Sequence, residues 1–225
     1  MLSNSCTSPE ILRYKNVISI KAAAICLSLA CALTISAHAA TIIVSNTNDN
    51  GPGSLRQALV DANDGDTIDA TDISGVITLT SGELIIDNSV TINGAGADVL
   101  AVDGNAASRV FFIASAVTVT ISGLTIRNGQ VGITGGGIDN ENDATVTISN
   151  CTVSGNMAGL GSGIFNGGML TIANSTVSGN LANEGAGTYN DGSGTLTITN
   201  STVSGNTARS APSTMKTHWR LETPS

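Results

Sequence analysis

The residues able to do chemistry are few, and their types limit what that chemistry can be. Between Ala40 and Ala208 there is no Lys and no His, and the cations are Arg56, Arg109 and Arg127. Cleaving an acidic polysaccharide takes carboxylates to hold calcium and a Lys or Arg to take or stabilise charge at the sugar. Arg109 and Arg127 fall in adjoining repeats and could face one groove, although a solvated surface role is the expectation for both. Glycoside hydrolysis needs paired carboxylates on one face. Here the acids gather in turn-like segments, Asp61, Asp64, Asp66, Asp69 and Asp72 in one and Asp139, Glu141 and Asp143 in another, where solubility and turn formation account for them. Asn46-Thr-Asn-Asp-Asn-Gly51 copies the first half of a calcium loop, but its first ligand is Asn and its twelfth position is Gln57 where a bidentate Glu belongs. No cofactor is expected, with calcium the single one left open. No G-x-S-x-G, H-E-x-x-H, CxxC pair or phosphate loop occurs, nor the calcium-binding Gly-Gly-x-Gly-x-Asp nonapeptide.

The elements that must carry these residues are repeats. Asn150-Cys-Thr-Val-Ser-Gly-Asn156, Asn174-Ser-Thr-Val-Ser-Gly-Asn180 and Asn200-Ser-Thr-Val-Ser-Gly-Asn206 recur 24 and then 26 residues apart. Each is preceded by a short apolar run, ending at Ile148, Ile172 and Ile198, and by a Gly-rich turn closing on Asn140, Asn166 and Asn190. Runs of Val, Ile, Leu and Thr between Gly, Asn and Ser are strands, because Leu170-Thr-Ile172 and Thr176-Val177 alternate with period two. Self-similarity at such a period predicts a solenoid whose variation is absorbed in turns.

Stacking the units sets like residues over like. Ile121, Ile148, Ile172 and Ile198 form one inward file and Ile126, Val153, Val177 and Val203 another, while Thr120, Thr147, Thr171 and Thr197 point outward. Asn150, Asn174 and Asn200, Asn156, Asn180 and Asn206, and Asn140, Asn166 and Asn190 are three asparagine columns. They are expected to serve as corner posts, since Asn tolerates left-handed backbone and stacked amides can bond from rung to rung. Asn150-Cys-Thr152, Asn174-Ser-Thr176 and Asn200-Ser-Thr202 also fit the N-glycosylation pattern, which the column already explains. Cys151, in the file Leu124, Cys151, Ser175 and Ser201, reads as a small buried residue and not as a reactive thiol.

The chain has 225 residues, 26 of them glycine, with 3% aromatic residues and 12% charged ones, too few large side chains for a broad globular core but enough for a thin coil. Residues 1–39 read as a signal peptide: Arg13, Lys15 and Lys21 precede an apolar run from Ala22 to Ile35, and Ala37-His-Ala39 is a small-x-small cleavage site. The run is too short for a comfortable membrane span, so the mature chain is expected to have none. Without residues 1–39 and their three cations and Glu10, 6 Lys and Arg face 16 Asp and Glu, a net charge of -10 that argues against nucleic acid or anionic lipid as partner. Cys151 is then the single cysteine, so no internal disulfide is expected.

Residues 40–66 read as an amino-terminal cap. Thr41-Ile-Ile-Val-Ser45 is a strand, and Ser54 and Gln57 have capping-box spacing at the head of a short helix that buries Leu55, Ala58, Leu59 and Ala62. A helix there would cover the open end of the coil. The segment from Ile42 to Ile68, with Ser45-Asn-Thr-Asn-Asp-Asn-Gly51 and Gly53-Ser-Leu-Arg-Gln-Ala58, resembles the cap of bacterial exported right-handed parallel β-helix proteins bearing a C-S-L-R-E-A signature; Gly53 and Gln57 stand where that signature has Cys and Glu. The repeats are similar to those of polymorphic outer membrane proteins, through Gly136-Gly-Ile138, Gly163-Ile-Phe-Asn166 and Val153-Ser-Gly-Asn156. The resemblance implies a right-handed, single-stranded parallel β-helix with a pectate-lyase-like solenoid over residues 67–208 and an extracellular or outer-membrane surface location; right-handedness also follows from the rule for parallel crossovers. About seven coils fit the mature length.

Residues 209–225 depart from the repeat and carry Lys216, His218 and Trp219, so an irregular tail is expected, read as a truncated or frameshifted end. The function expected is that of a non-enzymatic stalk or adhesin-like protein binding glycan or protein through Thr and Asn ladders. The alternative is a polysaccharide lyase or glycoside hydrolase on the same scaffold. Acids and a base bunched in one groove would favour the enzyme, and uniform ladders the stalk.

Overall fold

A computed structural model of the protein describes residues 39–210 and the backbone of 219–222. The signal segment expected over residues 1–39 lies, but for Ala39, outside the described residues.

Alternation decides which way each strand faces. In Thr145–Ser149, Val146 and Ile148 are fully buried while Thr145, Thr147 and Ser149 are half-buried. No single rung has a second layer to cover Ile148, so the next rung must. Ile148 pairs in register with Ile121 on one side and Ile172 on the other, and Ile172 with Ile198. Each such file removes side chains from water at about 1.5–3 kcal/mol apiece, which stabilises every rung only through its neighbours.

The result is an all-parallel β-solenoid of about 6 turns with 45% strand and very little helix; that is fewer than the seven turns expected, because the cap and the longer early turns take up chain. Four sheets run along it. The first has eight strands, from Thr41–Ile43 through Thr67–Ala70, Thr91–Gly94, Thr118–Ser122, Thr145–Ser149, Met169–Ala173 and Thr195–Thr199 to Trp219–Glu222. The second has six strands, from Gly75–Thr78 to Thr202–Ser204, and the third five, from Leu84–Ile86 to Thr188–Asn190. The fourth has three, Met157–Leu160, Leu181–Glu184 and Thr207–Ala208.

Three asparagine columns do three different jobs. Asn150, Asn174 and Asn200 turn the corner between the first two sheets with φ of 53°, 48° and 46°, the left-handed region that Asn tolerates among non-glycine residues. The other two columns do not have that backbone and face inward. Asn156 Nδ2 donates to Asn180 Oδ1 at 3.0 Å and Asn180 Nδ2 to Asn206 Oδ1 at 2.9 Å. Asn140 Nδ2 donates to Asn166 Oδ1, and Asn166 Nδ2 to Asn190 Oδ1, each at 2.6 Å. Asn140 occupies the position that Ile113 and Ile86 hold on the preceding rungs. An isoleucine lies above it, so its Oδ1 receives no hydrogen bond.

The cap departs from the expected capping box in one half. Ser54 Oγ accepts from Gln57 N at 3.2 Å, but the Gln57 amide donates to Asp61 Oδ1 at 2.8 Å. Ser54 N–H is already bonded to Gly51 O, so the reciprocal bond has no donor to serve. In the tail, Trp219–Glu222 is not irregular: it pairs parallel to Thr195–Thr199, Leu196 against Trp219 and Thr199 against Glu222. Trp219-Arg-Leu-Glu222 alternates apolar and polar as the strands before it do.

Candidate functional site

Arg109 precedes the strand Phe111–Ile113 of the third sheet, and the stacking of rungs brings it two acids. Its Nη1 lies 2.8 Å from Glu83 Oε2 and its Nη2 2.8 Å from Asp139 Oδ2. Nε donates to Gly135 O at 2.9 Å, Nη2 to Thr134 O at 3.0 Å, and the guanidinium sits 5.4 Å from the Phe112 ring centroid. The side chain is only 10% exposed. The solvated role expected for Arg109 is therefore wrong: register places Asp139 beside Phe112, within reach of the guanidinium. Asp139 likewise leaves its expected solubility role, being 2% exposed and accepting from Thr134 Oγ1 at 2.7 Å. Burial pushes the Asp139 carboxyl up, with Glu83 adding to the rise, against the pull of Thr134 and Arg109. Here two acids share one guanidinium whose donors are spent on protein acceptors, so the cluster clamps three rungs together and has little left to offer a substrate.

Arg127 belongs to another face, the second sheet, so the two arginines do not line one groove. Its Nε lies 2.9 Å from Asp103 Oδ2, which also accepts from Asn128 Nδ2 at 2.8 Å, while Asp103 Oδ1 accepts from Asn105 N at 2.9 Å. Asp103 borders an open depression of about 530 Å³ with Thr78, Asn105, Asn128, Gln130 and Met157. A second depression, of about 400 Å³, continues it past Ala106, Gln130 and Met157 to Leu181 and Arg209. The single acid in these depressions, Asp103, is already neutralised and hydrogen-bonded, so no acid pair faces them.

The loop that resembled half a calcium site spends its carboxylate on the cap. Asp49 Oδ1 receives Arg56 Nη2 at 2.7 Å, and Oδ2 receives Thr80 N, Thr80 Oγ1 and Ser81 N. Burial pushes this carboxyl up, but the combined hydrogen bonds from Arg56, Ser81 and Thr80 outweigh it and hold the group well below the usual carboxylate range. Arg56 also donates to Gly82 O at 2.6 Å and Glu83 O at 2.7 Å, tying the helix to the next rung. Cys151 is buried with its Sγ toward Ser149 O at 3.2 Å, and burial pushes the thiol up to about 11.

The outward surface is where the repeats accumulate. The threonine file expected at Thr120, Thr147, Thr171 and Thr197 extends back through Thr91, Thr67 and Thr41, seven rungs in register. The first three escaped the sequence because their rungs lack the Asn-x-Thr-Val-Ser-Gly-Asn segment that aligns the later repeats, although their spacings of 26, 24 and 29 residues are similar. Thr-Ile opening each of those strands was the available signal. Of the three asparagine columns, only Asn150, Asn174 and Asn200 are exposed to a partner; the other two are turned inward.

Fold and surface together define a parallel β-solenoid with ladder-bearing faces and neutralised internal ion pairs. No family model, no curated protein and no solved structure matches the chain.

Proposed function

We propose that the chain is an exported, non-enzymatic surface or extracellular protein, a stalk or adhesin-like rod that binds glycan or protein through its outward ladders. The observation that carries this reading is the fate of the candidate catalytic groups: Arg109 is shared between Glu83 and Asp139, and Arg127 and Asp103 neutralise each other on a different sheet. A hydrolase would keep an acid pair free in a groove, and a lyase a base with carboxylates beside it to hold calcium; Arg209 borders the second depression, but no carboxylate lines that depression with it. What repeats at the surface instead is Thr, Ser and the exposed asparagine file. Export is the part carried by the sequence of residues 1–39.

The test is to express the full chain with its leader, follow its processing and export, and incubate the secreted product with pectin, alginate and chondroitin. Cleavage near Ala39 and binding without bond breakage support the proposal. Release of unsaturated or reducing-end products, abolished by Arg127→Ala, would overturn it in favour of an enzyme.

A further inference from the structure

The face of the eight-stranded sheet bears an array that neither the fold nor the ion clamps require. Thr41, Thr67, Thr91, Thr120, Thr147, Thr171 and Thr197 stand one per rung, so their side chains repeat at about 4.8 Å along the axis. Two residues upstream on the same face, about 6.6 Å away, Thr118, Thr145 and Thr195 begin a second row, broken by Met169. Three rungs therefore read Thr-x-Thr: Thr118-Val-Thr120, Thr145-Val-Thr147 and Thr195-Leu-Thr197. A third row downstream continues with Asn93, Ser122, Ser149, Ala173 and Thr199.

Three properties of the array select its partner. First, none of the seven hydroxyls in the central file has a hydrogen-bond partner among the described residues. Each offers one donor and two acceptor sites to whatever lies above it. Second, β-branching restricts χ1, so identical residues in identical backbone hold their hydroxyls and methyls in a regular order instead of a fluctuating one. Third, the seven threonine rungs are almost free of charge: Asp69 is the one charged residue in these rows there, and its Oδ1 is engaged by Thr71, while the eighth strand sets Arg220 next in the central row and Glu222 next in the third.

A peptide adding as a strand would need an exposed edge, which this face does not offer. A soluble glycan chain would be held by directional amides, carboxylates or aromatic rings, which the exposed column of Asn150, Asn174 and Asn200 can offer and the central threonine row does not. A partner for this surface must be uncharged, periodic near the strand spacing along the axis, and able to donate and accept at every point while admitting methyl groups between. Hexagonal ice meets all of these conditions. Its oxygens repeat along the a axis close to the strand spacing, each is both donor and acceptor, and its surface hollows accommodate methyls. We infer that the threonine face of the eight-stranded sheet binds ice. This rests on the proposed reading of the outward files as the binding surface, and goes beyond it in naming a crystalline solid as the partner of one face.

The experiment grows ice slowly in a solution of the full chain together with an unrelated co-dissolved protein and measures how much of each enters the solid. Variants are Thr147→Lys at the centre of the array, Thr147→Val, which keeps a methyl and loses the hydroxyl, and Thr152→Lys on the second sheet; far-UV circular dichroism checks that each is folded. The wild-type chain and Thr152→Lys should be enriched several-fold in the ice over the co-dissolved protein. Thr147→Lys should fall to the level of that protein, and Thr147→Val should lie between. Exclusion of the wild-type chain from ice, or equal loss in Thr147→Lys and Thr152→Lys, would overturn the inference. A parallel arm offers crystalline chitin and cellulose. Retention there that Thr147→Lys abolishes, with no enrichment in ice, would overturn the ice assignment and keep the binding-surface reading. Failure on ice, on these solids and on a glycan array would overturn both.

Discussion

Replacing Asn180 by leucine tests whether the inner amide ladder holds the rungs together. Asn180 is 1% exposed; its Oδ1 accepts from Asn156 N and Asn156 Nδ2, both at 3.0 Å, and its Nδ2 donates to Val153 O at 3.1 Å and Asn206 Oδ1 at 2.9 Å. Leucine is similar in size, so the change opens little cavity and isolates the polar loss. The Asn156 backbone N–H is left without an acceptor, and Asn156 Nδ2 keeps only Ile126 O. An orphaned buried group costs about 1–3 kcal/mol. One full orphan at about 2 kcal/mol and one partial at about 1, less about 1 kcal/mol for the added apolar burial, give a net loss of about 2 kcal/mol. For a chain of this length about 2–4 °C accompany each kcal/mol, so the thermal midpoint should fall by about 4–8 °C. Asn206→Leu, at a half-buried rung where water can reach the freed groups, should cost about 1 kcal/mol. Thermal melts followed by far-UV circular dichroism read both. A midpoint for Asn180→Leu within about 2 °C of wild type, or equal losses in the two variants, would refute the ladder as a source of stability.

Other outcomes follow from single sites. Gly163→Ala puts a Cβ 2.3 Å from the Gly187 carbonyl oxygen of the next rung and should give insoluble or strongly destabilised protein, whereas Gly179→Ala, with φ of +65° but open space, should cost about 1–2 kcal/mol in a urea titration. Asp49→Asn should loosen the cap by about 2 kcal/mol at neutral pH through its weakened bonds to Arg56, Thr80 and Ser81. Because the Asp49 carboxyl is held low, its contribution is present above the ordinary carboxylate pKa and lost as pH falls through the lower folded value; the gap between wild type and Asp49→Asn should therefore close in strong acid. Cys151, with its thiol pushed up to about 11, should resist an aromatic disulfide reagent at pH 8 in the native state and react in denaturant. Peptide mapping that finds Cys151 modified in the native protein would contradict its burial.

Strand polarity and inward files were legible because period-two alternation depends only on local side-chain chemistry. Ile148, Ile172 and Ile198 could be aligned from their flanking asparagines alone. What the chain did not reveal depends on contacts between rungs that share no motif. Glu83, Arg109 and Asp139 are 26 and 30 residues apart in sequence and fall on loops of different length, so nothing local announces that they converge. The asparagine columns illustrate the same limit from the other side. All three looked like turns, but only Asn150, Asn174 and Asn200 adopt left-handed backbone; the others are core residues whose polarity is satisfied by copies of themselves. The threonine file was recognised over four rungs and missed over three, where the flanking Asn-x-Thr-Val-Ser-Gly-Asn segment is absent.

The backbone ladders of this rod run along its length, so a load applied between its two ends acts in line with the bonds that join successive turns. Under such tension the molecule should pay out its contour turn by turn, in steps of the 24 to 29 residues that separate equivalent strands. A tether built this way absorbs a pull gradually where a globular domain would give way in one event, and when the load is removed each turn re-forms on the template of the one beneath it.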